Sequence, residues 1–138
     1  MKNRNLDHKN DWATPSNFYD KLNKEFHFDF DPCPFMHDLD KWDGLKVDWW
    51  QSNYINPPYE LKLKTKFVLK WIEESKKWKR CVFLLPVSTS TKLFHEHILP
   101  NKKEIRFIKG RIKFSWWNTK GEWVDNKCWM HDSMIVIF

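Results

Sequence analysis

The stretch Ser52-Asn53-Tyr54-Ile55-Asn56-Pro57-Pro58-Tyr59 decides how this chain is read. Tyr54 and Ile55 have the character of a buried strand end, and a helical pattern begins at Leu61, so the segment runs strand, rigid turn, helix. That order marks the edge of an open α/β sheet where ligands bind. The double proline stiffens the corner by fixing φ and withdrawing backbone donors. Asn56 then offers a side-chain oxygen, and Pro57 a backbone carbonyl, as acceptors for the hydrogens of an aromatic exocyclic amine. Such an amine is a poor nucleophile because its lone pair is delocalised into the ring, and paired acceptors draw it out. Tyr59 can stack on the base. Stacking is worth roughly 1–3 kcal/mol per base, comparable with the few kcal/mol needed to unstack a nucleotide. The alternative is a polyproline turn that only ends a strand; the strand and helix on either side argue against it.

Upstream, Thr14 is a suitable N-cap with Pro15 at the first helical position, and Phe18, Leu22 and Phe26 recur at fourfold spacing, which predicts a short helix over 15–25. His27-Phe28-Asp29-Phe30-Asp31 alternates as a strand and stops at Pro32-Cys33-Pro34. Asp31 therefore ends a strand, where a carboxylate can receive an ammonium or a ribose hydroxyl; a plain turn residue bonding its own backbone is the alternative. Asp43 is a second candidate acid, with an Asp-Gly turn at Asp43-Gly44 as its plainer reading.

Downstream, Leu63, Phe67, Val68, Trp71, Ile72, Ser75 and Trp78 keep helical spacing over 63–79, with Lys64, Lys66, Lys70 and Lys77 assigned to the other face. Cys81-Val82-Phe83-Leu84-Leu85-Pro86 is a continuous apolar run expected as a buried central strand. A short helix over 91–99, closed before Pro100, follows. Strands are expected at 104–108 and from 112, then a hairpin over 116–130 turning at Gly121, and a last apolar strand over 133–138. Trp116, Trp117, Trp123 and Trp129 are read as core or rim rather than stacking platforms.

At 138 residues the chain is a single domain over 11–138, behind a polar, flexible segment over 1–10. The net charge of +6 is unevenly spread: residues 1–61 carry 7 basic and 11 acidic groups, 62–113 carry 15 and 4, and 114–138 carry 2 and 3. A basic middle beside an acidic first part suits a polyanion held next to a pocket for a cationic ligand; a lysine-rich solvated helix face is the alternative for part of it. The three cysteines, Cys33, Cys81 and Cys128, lack a CxxC pair and predict free thiols. A zinc site from Cys33, His37, Cys128 and His131 is the lesser reading, and no metal is expected. No signal peptide and no apolar run of membrane-spanning length is visible, which predicts a cytoplasmic protein, in a cell or an infected host, with no membrane partner.

Trp12-Ala13-Thr14-Pro15, Phe28-Asp29-Phe30-Asp31-Pro32, Asp43-Gly44-Leu45, Trp49, Asn56-Pro57-Pro58-Tyr59, Leu84-Leu85-Pro86 and Lys109-Gly110-Arg111-Ile112-Lys113-Phe114 occur in one order over nearly the whole chain from Asp11. In that order they resemble the phage-type, Dam-like DNA adenine-N6 methyltransferases. The resemblance implies an α/β, Rossmann-like methyltransferase fold with one sheet flanked by helices, S-adenosylmethionine as methyl donor, and double-stranded DNA as substrate. It carries Asn56, Pro57, Pro58 and Tyr59 over as the amine-binding catalytic motif. Trp12, Thr14, Pro15, Asp31 and Pro32 are carried over as donor-binding residues, and Asp43 as a donor-binding or active-loop acid. Arg111 and Lys113 match a family motif assigned to phosphate contact, and Lys64, Lys66 and Lys109 complete the expected DNA-facing set.

Two departures stand out from the broader methyltransferase pattern. Cys33-Pro34-Phe35 replaces a Gly-rich turn after Asp31, and the interval from Asp31 to Asn56 is too short for the usual further strand-helix units. An abbreviated sheet is the expectation, with a donor pocket that is open or completed by a second copy in a homodimer. The competing functions are methylation of cytosine N4 or RNA adenine, and a non-catalytic nucleic-acid-binding protein on a degenerate methyltransferase scaffold.

Overall fold

From Cys81 to Pro86 every side chain is buried, which places this run at the centre of the molecule. The computed structural model describes residues 13–33, 43–58, 60–117, 123–128 and 132–138, with backbone alone for 115–117 and 123–128. Its sheet has the order β1-β2-β6-β3, where β1 is Ser52–Ile55, β2 Arg80–Pro86, β3 Glu104–Phe107 and β6 Ser133–Ile137. β1 lies parallel to β2, pairing Ser52 with Arg80 and Ile55 with Phe83, whereas β6 runs antiparallel to both β2 and β3. β4 (Lys113–Trp117) and β5 (Trp123–Cys128) form a separate antiparallel hairpin, as the spacing predicts; Gly121 lies outside the described residues.

A parallel pair needs a crossover, and α2 (Leu61–Ser75) supplies it between β1 and β2. Strand alternation then divides the core in two. Ile55, Cys81, Phe83 and Leu85 pack with Phe67, Val68 and Trp71 of α2 and with Leu93, Phe94 and Ile98. On the other face Tyr54, Val82 and Leu84 pack with Leu22 and Phe26 of α1 (Ser16–Phe26) and with Ile112 and Phe114. Each fully buried large apolar side chain contributes roughly 1.5–3 kcal/mol, and Phe83→Ala in β2, a residue with no exposure, costs about 3–5 kcal/mol.

Five local expectations are corrected. Pro15, not Thr14, is the residue that precedes α1, and no side chain caps that helix; the Thr14 hydroxyl is used elsewhere. The strand expected over 27–31 is reduced to one parallel bridge, Phe30 to Asn53, with Tyr54 N–H donating to the Phe30 carbonyl at 3.0 Å. His27 closes α1 at φ 51°, a left-handed turn that consumes the first residue of the predicted strand. On α2 the buried positions are Lys64, Phe67, Val68, Trp71 and Glu74; Lys64 stands three and four residues before Phe67 and Val68 and so shares their face. Trp78 lies beyond the end of α2 and is exposed rather than part of its apolar stripe.

The fifth concerns Pro100. Leu93–Ile98 winds as a π-helix and α3 (Leu99–Asn101) continues it through Pro100. The helix thus runs past the expected stop, with Pro100 in its last turn and the chain turning extended at Lys102.

Candidate active site

Tyr54 and Asn56 are two residues apart at the end of β1, so they point to the same side of the sheet, the side covered by α1. Thr14 stands just before α1 and meets both. Its Oγ1 lies 2.7 Å from the Tyr54 hydroxyl, and Asn56 Nδ2 donates to the same Oγ1 at 3.2 Å. The amide is thereby oriented, and with Nδ2 directed at Thr14, Oδ1 is the atom of Asn56 suited to accept from a substrate amine.

The corner sits deep. Asn56 is half-buried, Pro57 and Pro58 are buried, and Asn56 Oδ1 is screened from solvent. Tyr59 and Trp12 lie outside the described residues, so their expected roles have no structural counterpart here. Tyr54 was read from sequence only as a strand residue. The two-residue spacing to Asn56 was the signal that could have placed its hydroxyl beside the motif.

Tyr54 also connects the corner to Asp31. The Tyr19 ring meets the Tyr54 ring edge-on with centroids 5.1 Å apart. Burial, then the negative charge of Asp31 and that of Asp20, pushes the Tyr19 hydroxyl pKa upward. Asp31 itself accepts from the Cys33 backbone N–H at 2.8 Å, the turn arrangement that was its plainer reading. Because Phe30 pairs with Asn53, Asp31 ends its segment at the same edge of the sheet as Asn56.

Asp43 also makes a turn, accepting from Leu45 N–H at 3.0 Å through Oδ1. Its neighbour Gly44 is pressed on Pro32: a Cβ there would lie 1.6 Å from the Pro32 carbonyl oxygen. Trp49 Nε1 donates to the Gly44 carbonyl at 2.8 Å and pins the turn. The Asp31-Pro32 and Asp43-Gly44 segments are thus brought into contact, although both aspartates make backbone turns.

Pro15 lies on the wall of an open cavity of about 270 Å³, whose opposite side is formed by Lys109, Gly110, Arg111 and Lys113. Gly110 makes the required turn at φ 78°. Lys109, Arg111 and Lys113 are exposed, as is Lys66 on α2. Lys64 departs from the expectation of a DNA contact: it is 7 % exposed, facing Leu85, Phe94 and Ile98, and burial lowers its pKa. It therefore leaves the DNA-facing set.

Cys33 is buried, and Cys81 is a buried free thiol. His37 and His131 lie outside the described residues, as does the Cys128 side chain, so the zinc reading has no described geometry; among the described residues no group of metal-ligating side chains gathers. No helix among the described residues is long and apolar enough to cross a membrane.

One protein-family model, described as DNA N-6-adenine-methyltransferase (Dam), matches residues 2–138. The chain belongs to that family. No curated protein and no solved structure matches it. The family match spans the Asn56 corner, the Asp31 segment and the Lys109–Lys113 turn alike, so these sit within one family pattern.

Proposed function

We propose that this protein transfers a methyl group from S-adenosylmethionine to the N6 amine of adenine in double-stranded DNA, with the base flipped onto the Asn56-Pro57-Pro58-Tyr59 corner. The observation that carries the reading is the Asn56 Nδ2 to Thr14 Oγ1 hydrogen bond, which orients the amide of the family's expected amine-binding residue. Asn56 Oδ1 accepts one N6 hydrogen and the Pro57 carbonyl the other, which localises the nitrogen lone pair for in-line attack. When bound, the donor would supply an electrophilic methyl whose bond to the sulfonium sulfur breaks, leaving a thioether, as the N6–methyl bond forms, and N6 then releases one proton to solvent. The donor set suits such a ligand: the Asp31 carboxylate and the Thr14 hydroxyl stand at one sheet edge, and the acidic first part of the chain favours a cation. Support for a Rossmann-like framework comes from the parallel Phe30 segment, β1 and β2, with α2 as the crossover. Lys66, Lys109, Arg111 and Lys113 provide exposed cations for phosphates.

Turnover requires the corner to open, since Asn56 Oδ1 is screened from solvent. The test is methyl incorporation from labelled donor into mixed-sequence DNA, with nucleoside analysis of the product. Asn56→Ala is expected to reduce kcat about 100-fold or more while largely keeping donor binding. Equal loss of both assigns Asn56 to structure instead. N4-methylcytosine, or methylation confined to RNA, would redirect the acceptor.

The screened oxygen and the absence of a Gly-rich turn after Asp31 favour one second reading, a nucleic-acid-binding protein without catalysis. Calorimetric titration with S-adenosylmethionine separates the two, because only the enzyme takes up the donor.

A further inference from the structure

The opposite edge of the sheet carries features that methyl transfer does not use. Trp78 is 94 % exposed and holds φ at 64°. It follows the end of α2, where a left-handed residue is usually glycine because a Cβ is strained there. A tryptophan at this position combines backbone strain with an unburied indole. Trp50 is also exposed, at 57 %. Trp50 and Trp78 each stand two residues before the paired residues Ser52 and Arg80, so they emerge from adjacent strands at one edge.

Beside Trp78 opens a cavity of about 290 Å³, lined by Trp71, Lys79, Arg80, Asn101 and Lys103 among others. The Trp71 Nε1–H, itself buried, meets no acceptor among the described residues. Lys79 is held by Glu74, but Lys76 and Lys103 are exposed and have no carboxylate partner among the described residues. By the parallel register of β1 and β2, Asn56 lies level with Leu84, four residues along from Arg80, so the start of β2 and the Asn56 corner are about 13 Å apart along the strands.

We infer that this edge is a second nucleic-acid site that holds a single-stranded segment, its bases stacking on Trp78 and Trp50 and its phosphates facing Lys76 and Lys103. Exposed indoles favour unpaired bases, whose faces are free, over a duplex whose bases already stack on one another. The surrounding lysines supply the polyanion attraction. The inference does not depend on the function of Asn56, since it concerns the other edge.

The test is fluorescence anisotropy of a labelled 12-nucleotide oligothymidine with the full chain across a salt series; thymine offers no adenine amine to the Asn56 corner. Wild type is expected to bind with marked salt dependence, and Trp78→Gly to bind about tenfold more weakly. The same variant is expected to melt no lower than wild type, because glycine relieves the left-handed strain, so weaker binding is not a folding defect. Lys103→Gln is expected to reduce the salt slope by about 0.7. A blunt duplex is expected to be bound equally by wild type and Trp78→Gly, and an oligouridine arm shows whether RNA is taken as well as DNA. Unchanged oligothymidine affinity in Trp78→Gly, absence of binding by wild type, or displacement of the strand by polyglutamate from wild type and Trp78→Gly alike overturns the inference.

Discussion

Asn56 Nδ2 donates to Thr14 Oγ1 at 3.2 Å, across 42 residues of chain. The Tyr54 hydroxyl, 2.7 Å from the same oxygen, completes a short polar chain behind the motif. Thr14→Val removes the hydroxyl and keeps the shape, whereas Thr14→Ser keeps it. The expected result is a loss of about tenfold in kcat/KM for Thr14→Val, the equivalent of about 1.4 kcal/mol, with near-normal turnover for Thr14→Ser. Steady-state methylation kinetics on one oligonucleotide check this, and equal effects of the two substitutions would contradict the orienting role.

Gly44 leaves no room for a side chain against the Pro32 carbonyl, with 1.6 Å to an ideal Cβ. Gly44→Ala forces the 43–45 turn away from the Asp31-Pro32 segment and is expected to cost about 3 kcal/mol. Circular-dichroism melts with and without donor supply the measurement. A variant as stable as wild type would show that the two turns do not need their contact.

Glu74 is 1 % exposed and bound by Lys79 at 2.6 Å and Lys70 at 2.9 Å. Lys79 also donates to the Trp49 carbonyl, tying the end of α2 to the chain before β1. Burial by itself would raise the Glu74 pKa, but hydrogen bonds from Lys79 and Lys70 outweigh it and hold it below the ordinary carboxylate value. With the folded pKa depressed, the stabilisation is present above the unfolded value of about 4.3 and is lost as pH falls through the folded value. Glu74→Ala is expected to destabilise by about 3–5 kcal/mol, because it leaves Lys79 buried without its carboxylate. Denaturant titrations at neutral and acid pH read both effects, and the gap between wild type and variant should narrow in acid.

Lys64 has no carboxylate partner among the described residues and lies against Leu85, Phe94 and Ile98. Burial lowers its pKa, so the unfolded chain binds its proton more tightly, and stability rises with pH from the lowered value toward about 10.4. Lys64→Met keeps the length and discards the charge. It is expected to raise stability by about 1 kcal/mol and to flatten that alkaline rise, while leaving DNA affinity and its salt slope unchanged. A weakened, less salt-sensitive DNA complex would return Lys64 to the DNA-facing set.

Local chemistry determined much of this protein. The continuous apolar run over 81–86 could only be a central strand, and Asn56-Pro57-Pro58 could only be a rigid corner at the end of β1, because proline leaves the backbone few choices there. Gly110 marked the turn before β4 for the opposite reason, since glycine alone takes φ 78° without strain. What depended on partners distant in the chain was decided by the tertiary structure. Thr14 looked like a helix cap because capping is a local preference, yet Tyr54 and Asn56 claim its hydroxyl once α1 packs on that face. Lys64 looked like a solvated residue because charge argues for water, yet the helix period turns it, with Glu74, to the core. Trp78 looked like core because it is apolar, yet α2 ends at Ser75 and leaves it in solvent. Sequence names a residue's preferences; only packing determines which neighbour is near enough to satisfy them.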